Sequence, residues 1–203
     1  MILQDPSIQG KIVDLLAALI LLSAIVLVSR KRLRASIRTY AVQSRLLALL
    51  TLTVAFFTES PHLYISATLT LLVKGWLIPE IFLRVVQRLQ VKRELETSLS
   101  IPSSILIAGA LVILAYTVSY PMVGLGRLLT RNCLPISMSM VLIGLFIMAT
   151  RQAPVTQVIG LVTMENGIFL AAISVTYGIP ILVELGIFVD ILIAAMILGI
   201  GWV

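Results

Sequence analysis

The sequence predicts an all-α integral membrane protein with about seven transmembrane helices, on three observations. Of its 203 residues, 60% are hydrophobic and 12% are charged, which is more apolar than a soluble domain of this size. The hydrophobic residues form long runs such as 12–29, each able to cross the ~30 Å hydrocarbon layer as a helix. The runs also lack the residue alternation of a membrane barrel, so helices alone satisfy the backbone in lipid.

Proline, glycine and charged residues separate the apolar runs and set the ends of the predicted helices. The breaks fall at 30–34, 60–61, 92–96, 124–132, 151–154 and 177–180. The predicted helices are 12–29, 39–58, 62–88, 103–121, 133–150, 155–176 and 180–203. The third helix is the longest and contains Pro79, which lacks a backbone N–H and is expected to kink or break it.

We interpret the whole chain, 1–203, as one transmembrane domain with a weak internal repeat. An N-terminal three-helix unit, 1–100, is followed by a fourth helix and connection, 101–132, and by a C-terminal three-helix unit, 133–203. Each unit has a helix, a basic turn, and two helices joined by a tight turn. Such a repeat would place Lys74 opposite Asp190.

The basic residues predict the orientation. Nine follow the first, third and fifth helices, against three on the other side, namely Lys11, Arg127 and Arg131. The positive-inside rule then places the N-terminus outside and the C-terminus inside the cytoplasmic membrane. Since the basic residues alternate with apolar runs, lipid is the expected partner and nucleic acid is not.

The sequence gives no sign of bond chemistry on this chain. Cys133 is the only cysteine, so neither an internal disulfide nor a cysteine-ligated iron–sulfur cluster is expected. No nucleophile elbow, phosphate-binding loop, dinucleotide fingerprint or zinc pattern occurs. We therefore expect no catalytic residue, metal or cofactor here.

Three charged residues lie near the middle of their predicted helices: Lys74, Glu165 and Asp190. Each would be ~15 to 18 Å deep, where a charge costs at least ~2.5 kcal/mol and needs an explanation. One hypothesis is a lateral proton relay, in which the lysine and the carboxylates exchange protons with the help of internal water. The alternative is a buried Lys74–Asp190 ion pair that fixes helix packing.

Four other polar residues are weaker candidates. Glu184, one turn below the outer surface, is either solvated or a gate of the relay. Arg45, Gln43 and Glu80 are possible secondary relay residues. Arg45 can instead snorkel to the interface, Gln43 can join two helices, and Glu80 can be an interfacial residue.

Two segments resemble the hydrogenase-4 component E family: QVIGLVTMENGIFLAA at 157–172 and PILVELGIFVDILIAAMI at 180–197. YAVQS at 40–44 and TLLVKGWLIP at 70–79 extend the resemblance to most of the chain. The last three predicted helices also resemble the K subunit of complex I and the C subunit of multisubunit cation/proton antiporters. In that comparison Asp190 occupies the place of the K subunit's second glutamate, while Val162 occupies the first, one turn before Glu165.

The resemblance implies a membrane-arm subunit of a group 4 nickel–iron hydrogenase-type or other complex I-like assembly, with midplane charges on a proton path. Its implied partners are antiporter-like subunits, other membrane-arm subunits and a peripheral redox arm, which would hold the nickel–iron centre and iron–sulfur clusters. Gly160, Gly167 and Gly186 are expected to pack closely against such neighbours. Two alternatives remain: a stand-alone small ion or metabolite transporter, and a purely structural linker subunit.

Overall fold

The computed structural model describes residues 6–88, 99–123, 130 and 132–176, together with positions 186, 189 and 193. These residues are almost entirely helical, and no β-strand occurs among them. The elements are α1 (Pro6–Ser29), α2 (Leu33–Thr58), α3 (Pro61–Leu69), a π-helical segment (Thr70–Leu77), α4 (Ile78–Arg88), α5 (Ile101–Val123), α6 (Cys133–Thr150) and α7 (Pro154–Thr176).

The helical membrane class is confirmed. Five of these helices, α1, α2, α5, α6 and α7, are long and apolar enough to cross a membrane, and 61–88 forms a further continuous helical run. The first six predicted helices agree with the structure to within a few residues, except that α1 begins at Pro6 rather than near 12 and α2 at Leu33 rather than near 39. Arginine is a good helix former, so Arg34 and Arg38 extend the helix instead of ending it. The seventh predicted helix, 180–203, lies outside the described residues apart from 186, 189 and 193, and the internal repeat therefore stays a prediction.

The expected interruption near Pro79 takes the form of a change in helix type. The α-helical pattern of α3 gives way at Thr70 to the π segment, and α-helix resumes at Ile78. Pro79 follows directly and cannot donate a hydrogen bond to the Gly75 carbonyl four residues earlier. A π-helix of eight residues is unusually long, and such segments occur frequently at functional sites.

Helix α2 lies at the centre of the described structure and packs against α1, α3, the π segment, α4 and α7. Tyr40 of α2 and Phe82 of α4 are fully buried and meet edge to face, with ring centroids 6.5 Å apart. Helix α6 packs on α1, α5 and α7. Since α7 contacts both α2 and α6, it links the two halves of the described chain.

Glycines bring α6 and α7 into backbone contact. A Cβ on Gly144 would lie 2.7 Å from the Met164 backbone nitrogen, and one on Gly160 would lie 2.9 Å from the Gly144 carbonyl oxygen. A Cβ on Gly167 would lie 2.9 Å from the Ser137 carbonyl oxygen. The expectation that Gly160 and Gly167 pack against neighbouring subunits is therefore wrong, because both are used inside the chain, where small residues let two membrane helices approach closely.

Two polar contacts tie α1 to α6 at opposite ends. At one end the Arg151 Nη2 atom donates a 2.6 Å hydrogen bond to the Val28 carbonyl; at the other, Asn132 Nδ2 donates to Asp14 Oδ2 at 3.0 Å. Burial lowers the pKa of Arg151, because desolvation disfavours its charge. The first contact places the α6–α7 turn beside the α1–α2 turn, so these basic segments lie at the same end of the bundle.

Candidate functional site

A buried ion pair lies near the centre of the helical assembly. Lys74 Nζ is 2.8 Å from Glu165 Oε1, and the two side chains are only 5% and 10% exposed. Glu165 is eleven residues from each end of α7, and Lys74 is thirteen residues beyond Pro61. At 1.5 Å per residue both are ~16 to 20 Å from the helix ends. The predicted common depth of these two residues agrees with their direct contact.

The π segment presents Lys74 to the interior. Lys74 and Gly75 are buried, whereas Leu71 and Trp76 on the same segment are exposed. Arg45 Nε of α2 donates a 3.1 Å hydrogen bond to the Gly75 carbonyl, the carbonyl that Pro79 leaves without its α-helical donor. Arg45 therefore supports the backbone beside Lys74, a role that neither sequence-based alternative for this residue included.

A second polar contact joins α7 to α2 next to the ion pair. Asn166 Nδ2 donates to Ser44 Oγ at 3.1 Å and to Gln43 Oε1 at 3.4 Å, and all three residues are fully buried. The interpretation of Gln43 as a residue that joins two helices is confirmed. Ser44 and Asn166 were missed, although each directly follows a selected polar residue inside an apolar helix, where a polar group usually requires a partner.

The polar cluster, defined here as Lys74, Glu165, Asn166, Gln43 and Ser44, retains unused hydrogen-bonding capacity. Glu165 Oε2, Gln43 Nε2 and Asn166 Oδ1 are buried and make no hydrogen bond within the described part of the chain. A buried polar atom without a partner costs ~1 to 3 kcal/mol. These atoms can therefore bind internal water or residues outside the described ranges.

The ring of Phe169, one turn beyond Glu165, lies under the ammonium group. Lys74 Nζ is 5.8 Å from the ring centroid, within the range of a cation–π contact. The lysine nitrogen therefore contacts both a carboxylate and an aromatic face.

Of the remaining candidates, only Glu80 lies among the described residues, and it is not part of the polar cluster. Glu80 pairs instead with Arg84 one turn away, at 3.1 Å, and their side chains are 42% and 70% exposed; this agrees with its interpretation as an interfacial residue. Asp190 and Glu184 lie outside the described residues. Gly186 is described, and a Cβ on it would lie 3.7 Å from Glu165 Oε1, so its backbone passes beside the carboxylate.

The helices and the polar cluster together define a polytopic membrane protein with a buried charge pair at its centre. Over 190 residues, 93% of this chain and 86% of its relative, the sequence is 32% identical to the uncharacterized protein Rv0085 of Mycobacterium tuberculosis. The chain therefore belongs to the same family as Rv0085.

A more distant similarity, 26% identity over 189 residues, extends to Hydrogenase-4 component E of Escherichia coli K12 and of Shigella flexneri. It covers 92% of this chain and 87% of each relative, so the resemblance noted from short segments extends over most of the sequence. No family model matches the chain, and no solved structure matches it.

Proposed function

We propose that the chain is a membrane subunit of a complex I-like assembly of the group 4 nickel–iron hydrogenase type, in which Lys74 and Glu165 belong to a lateral proton path. The observation that supports this most is their 2.8 Å contact in the interior of the bundle. A charge at this depth is costly, and intramembrane ionisable residues are by default candidates for ion or proton pathways. The distant similarity to component E supports the type of assembly.

The geometry suits direct proton exchange. At 2.8 Å the Nζ and Oε1 atoms are within hydrogen-bonding distance, so one proton can move from the ammonium to the carboxylate and convert the ion pair into a neutral amine and carboxylic acid. Both side chains are buried, so the exchange would take place away from bulk water. The neighbouring amides can bind internal water that delivers and removes protons.

The polar cluster runs across the bundle rather than along its axis. It begins on α2 with Gln43 and Ser44, passes through Asn166 to Glu165 on α7, and reaches Lys74 on the π segment. A path in this direction would carry protons in the membrane plane, toward neighbouring subunits. Glu184 and Asp190 are proposed as further relay residues on sequence grounds alone, and the redox centres would be on partner chains.

The assembly can be tested by mild detergent extraction of the tagged full chain from its native membrane, followed by identification of the co-purifying chains. We expect antiporter-like membrane subunits and subunits of a peripheral redox arm. A monodisperse single chain that transports an ion after reconstitution into liposomes would contradict the proposal and support the stand-alone transporter.

We also propose that the N-terminus is outside and the basic turns are cytoplasmic. In a Cys133→Ala background, single cysteines at Lys31 and Gln152, which are exposed in the α1–α2 and α6–α7 turns, should react with a membrane-impermeant maleimide only after the membrane is opened. A cysteine at Ser60, in the α2–α3 turn, should react in intact cells. The opposite pattern at all three positions would reverse the orientation.

A further inference from the structure

An open groove of about 750 Å³ lies between α1 and α2 on the surface of the bundle. Four arginines line one end of it: Arg30, Arg32, Arg34 and Arg38. Most of the remaining lining is aliphatic and comes from one face of each helix, down to Leu19 on α1 and Leu46 on α2. The groove therefore has one basic end and one apolar end.

The basic end of the groove has a high density of positive charge. Residues 15–58 contain six lysines and arginines and no aspartate or glutamate. All four groove arginines are exposed, and none makes an ion pair with a carboxylate within the described ranges. Guanidinium groups in such a setting match phosphate, which they bind through paired hydrogen bonds.

The length of the groove matches one leaflet of a bilayer. Leu19 lies eleven residues from Arg30, and Leu46 lies twelve from Arg34, which corresponds to ~16 to 18 Å along a helix. Half of the hydrocarbon layer is ~15 Å thick. Leu22 and Val42, on opposite walls, are 56% and 50% exposed, so the apolar part is open to lipid chains.

We propose that this groove is a binding site for an anionic glycerophospholipid of the leaflet that faces the α1–α2 turn. The arginines bind the headgroup phosphate, and the acyl chains lie along the aliphatic walls. Basic pockets between membrane helices are known to bind anionic headgroups. An acidic protein surface would satisfy the arginines but would leave the deep aliphatic part without a matching partner, which is why lipid is the favoured occupant.

Native mass spectrometry of the full chain, with the subunits that remain attached, can test the site. The probes are dioleoyl phosphatidylglycerol, dioleoyl phosphatidylcholine with the same chains, and glycerol phosphate, which has the headgroup charge and no chains. We expect phosphatidylglycerol to bind at least ~10-fold more tightly than phosphatidylcholine, because each nearby basic residue contributes about fivefold to the binding of an anionic lipid. We expect the same preference over glycerol phosphate, because glycerol phosphate has no acyl chains to lie along the aliphatic walls.

The variant Arg34→Gln/Arg38→Gln should lose on the order of 25-fold in affinity for phosphatidylglycerol. Lys31 lies in the same turn but does not line the groove. Lys31→Gln should therefore change the affinity for phosphatidylglycerol less than ~2-fold. Leu22→Trp, at an exposed wall position that the fold can accommodate, should displace the chains while leaving all the arginines in place, and so weaken binding of the lipid but not of glycerol phosphate.

Three results would overturn the proposal. Equal binding of the two lipids would show that the groove does not recognise an anionic headgroup. Glycerol phosphate binding as tightly as phosphatidylglycerol would indicate a site for a soluble phosphate compound. Failure of the intact assembly to retain lipid, combined with cross-linking of cysteines at Arg34 or Arg38 to a partner chain, would indicate an acidic protein surface as the occupant.

Discussion

The double variant Lys74→Met/Glu165→Gln is expected to assemble normally and to lose coupled ion translocation. Each single change leaves one buried charge without its partner at 2.8 Å, at a cost of ~3 to 5 kcal/mol, so the single variants should be depleted in the membrane. Removing both charges together eliminates that cost but also removes the groups that would exchange the proton. The measurements are the amount of assembled complex and proton uptake by inverted membrane vesicles.

The pair Glu80 and Arg84 provides a matched control on the same helical run. It is also an ion pair, but it is exposed, and exposed pairs contribute only ~0 to 1 kcal/mol. Glu80→Gln/Arg84→Gln should therefore change neither assembly nor translocation. Normal translocation by an assembled Lys74→Met/Glu165→Gln complex would exclude a relay through this pair and leave it a structural contact.

Replacement of Gly144 by valine is expected to be among the most destabilising changes outside the charge pair. An added Cβ would lie 2.7 Å from the Met164 backbone nitrogen and 2.8 Å from the Gly160 carbonyl oxygen. Neither backbone atom can rotate away, so α6 and α7 must separate. Overpacking of this kind costs ~1 to 3 kcal/mol, which should lower the thermal midpoint of the detergent-solubilised protein and reduce its yield.

The same substitution should also impair translocation in the fraction that assembles, because Met164 immediately precedes Glu165 and a shift of α7 moves the carboxylate. Gly109 of α5 provides the control, since a Cβ there would meet no atom within 4 Å. Gly109→Val should behave like the unchanged protein, apart from a small gain in helix propensity, because glycine is the poorer helix former. Equal thermal midpoints for the two variants would contradict the close α6–α7 approach.

The sequence by itself determined the class of protein, the approximate ends of most helices and the depth of the charges. Long apolar runs can cross lipid only when the backbone bonds to itself, so composition alone leads to helices. Depth follows from counting residues along a straight helix, and this is why Lys74 and Glu165 could be assigned to a common level. The cytoplasmic side of the basic turns is also inferred from charge counts along the sequence, and it stays a prediction.

The tertiary structure alone decided which residues meet. Membrane helices are apolar around most of their circumference, so periodicity does not reveal which face meets which neighbour. The Lys74–Glu165 contact, the Asn166 link to α2 and the use of Gly144 and Gly160 between α6 and α7 all depend on helix order in the bundle. The π segment could not be predicted either, since Pro79 predicts an interruption but not its form. Only the structure shows that Arg45 of another helix donates a hydrogen bond to the Gly75 carbonyl in this segment.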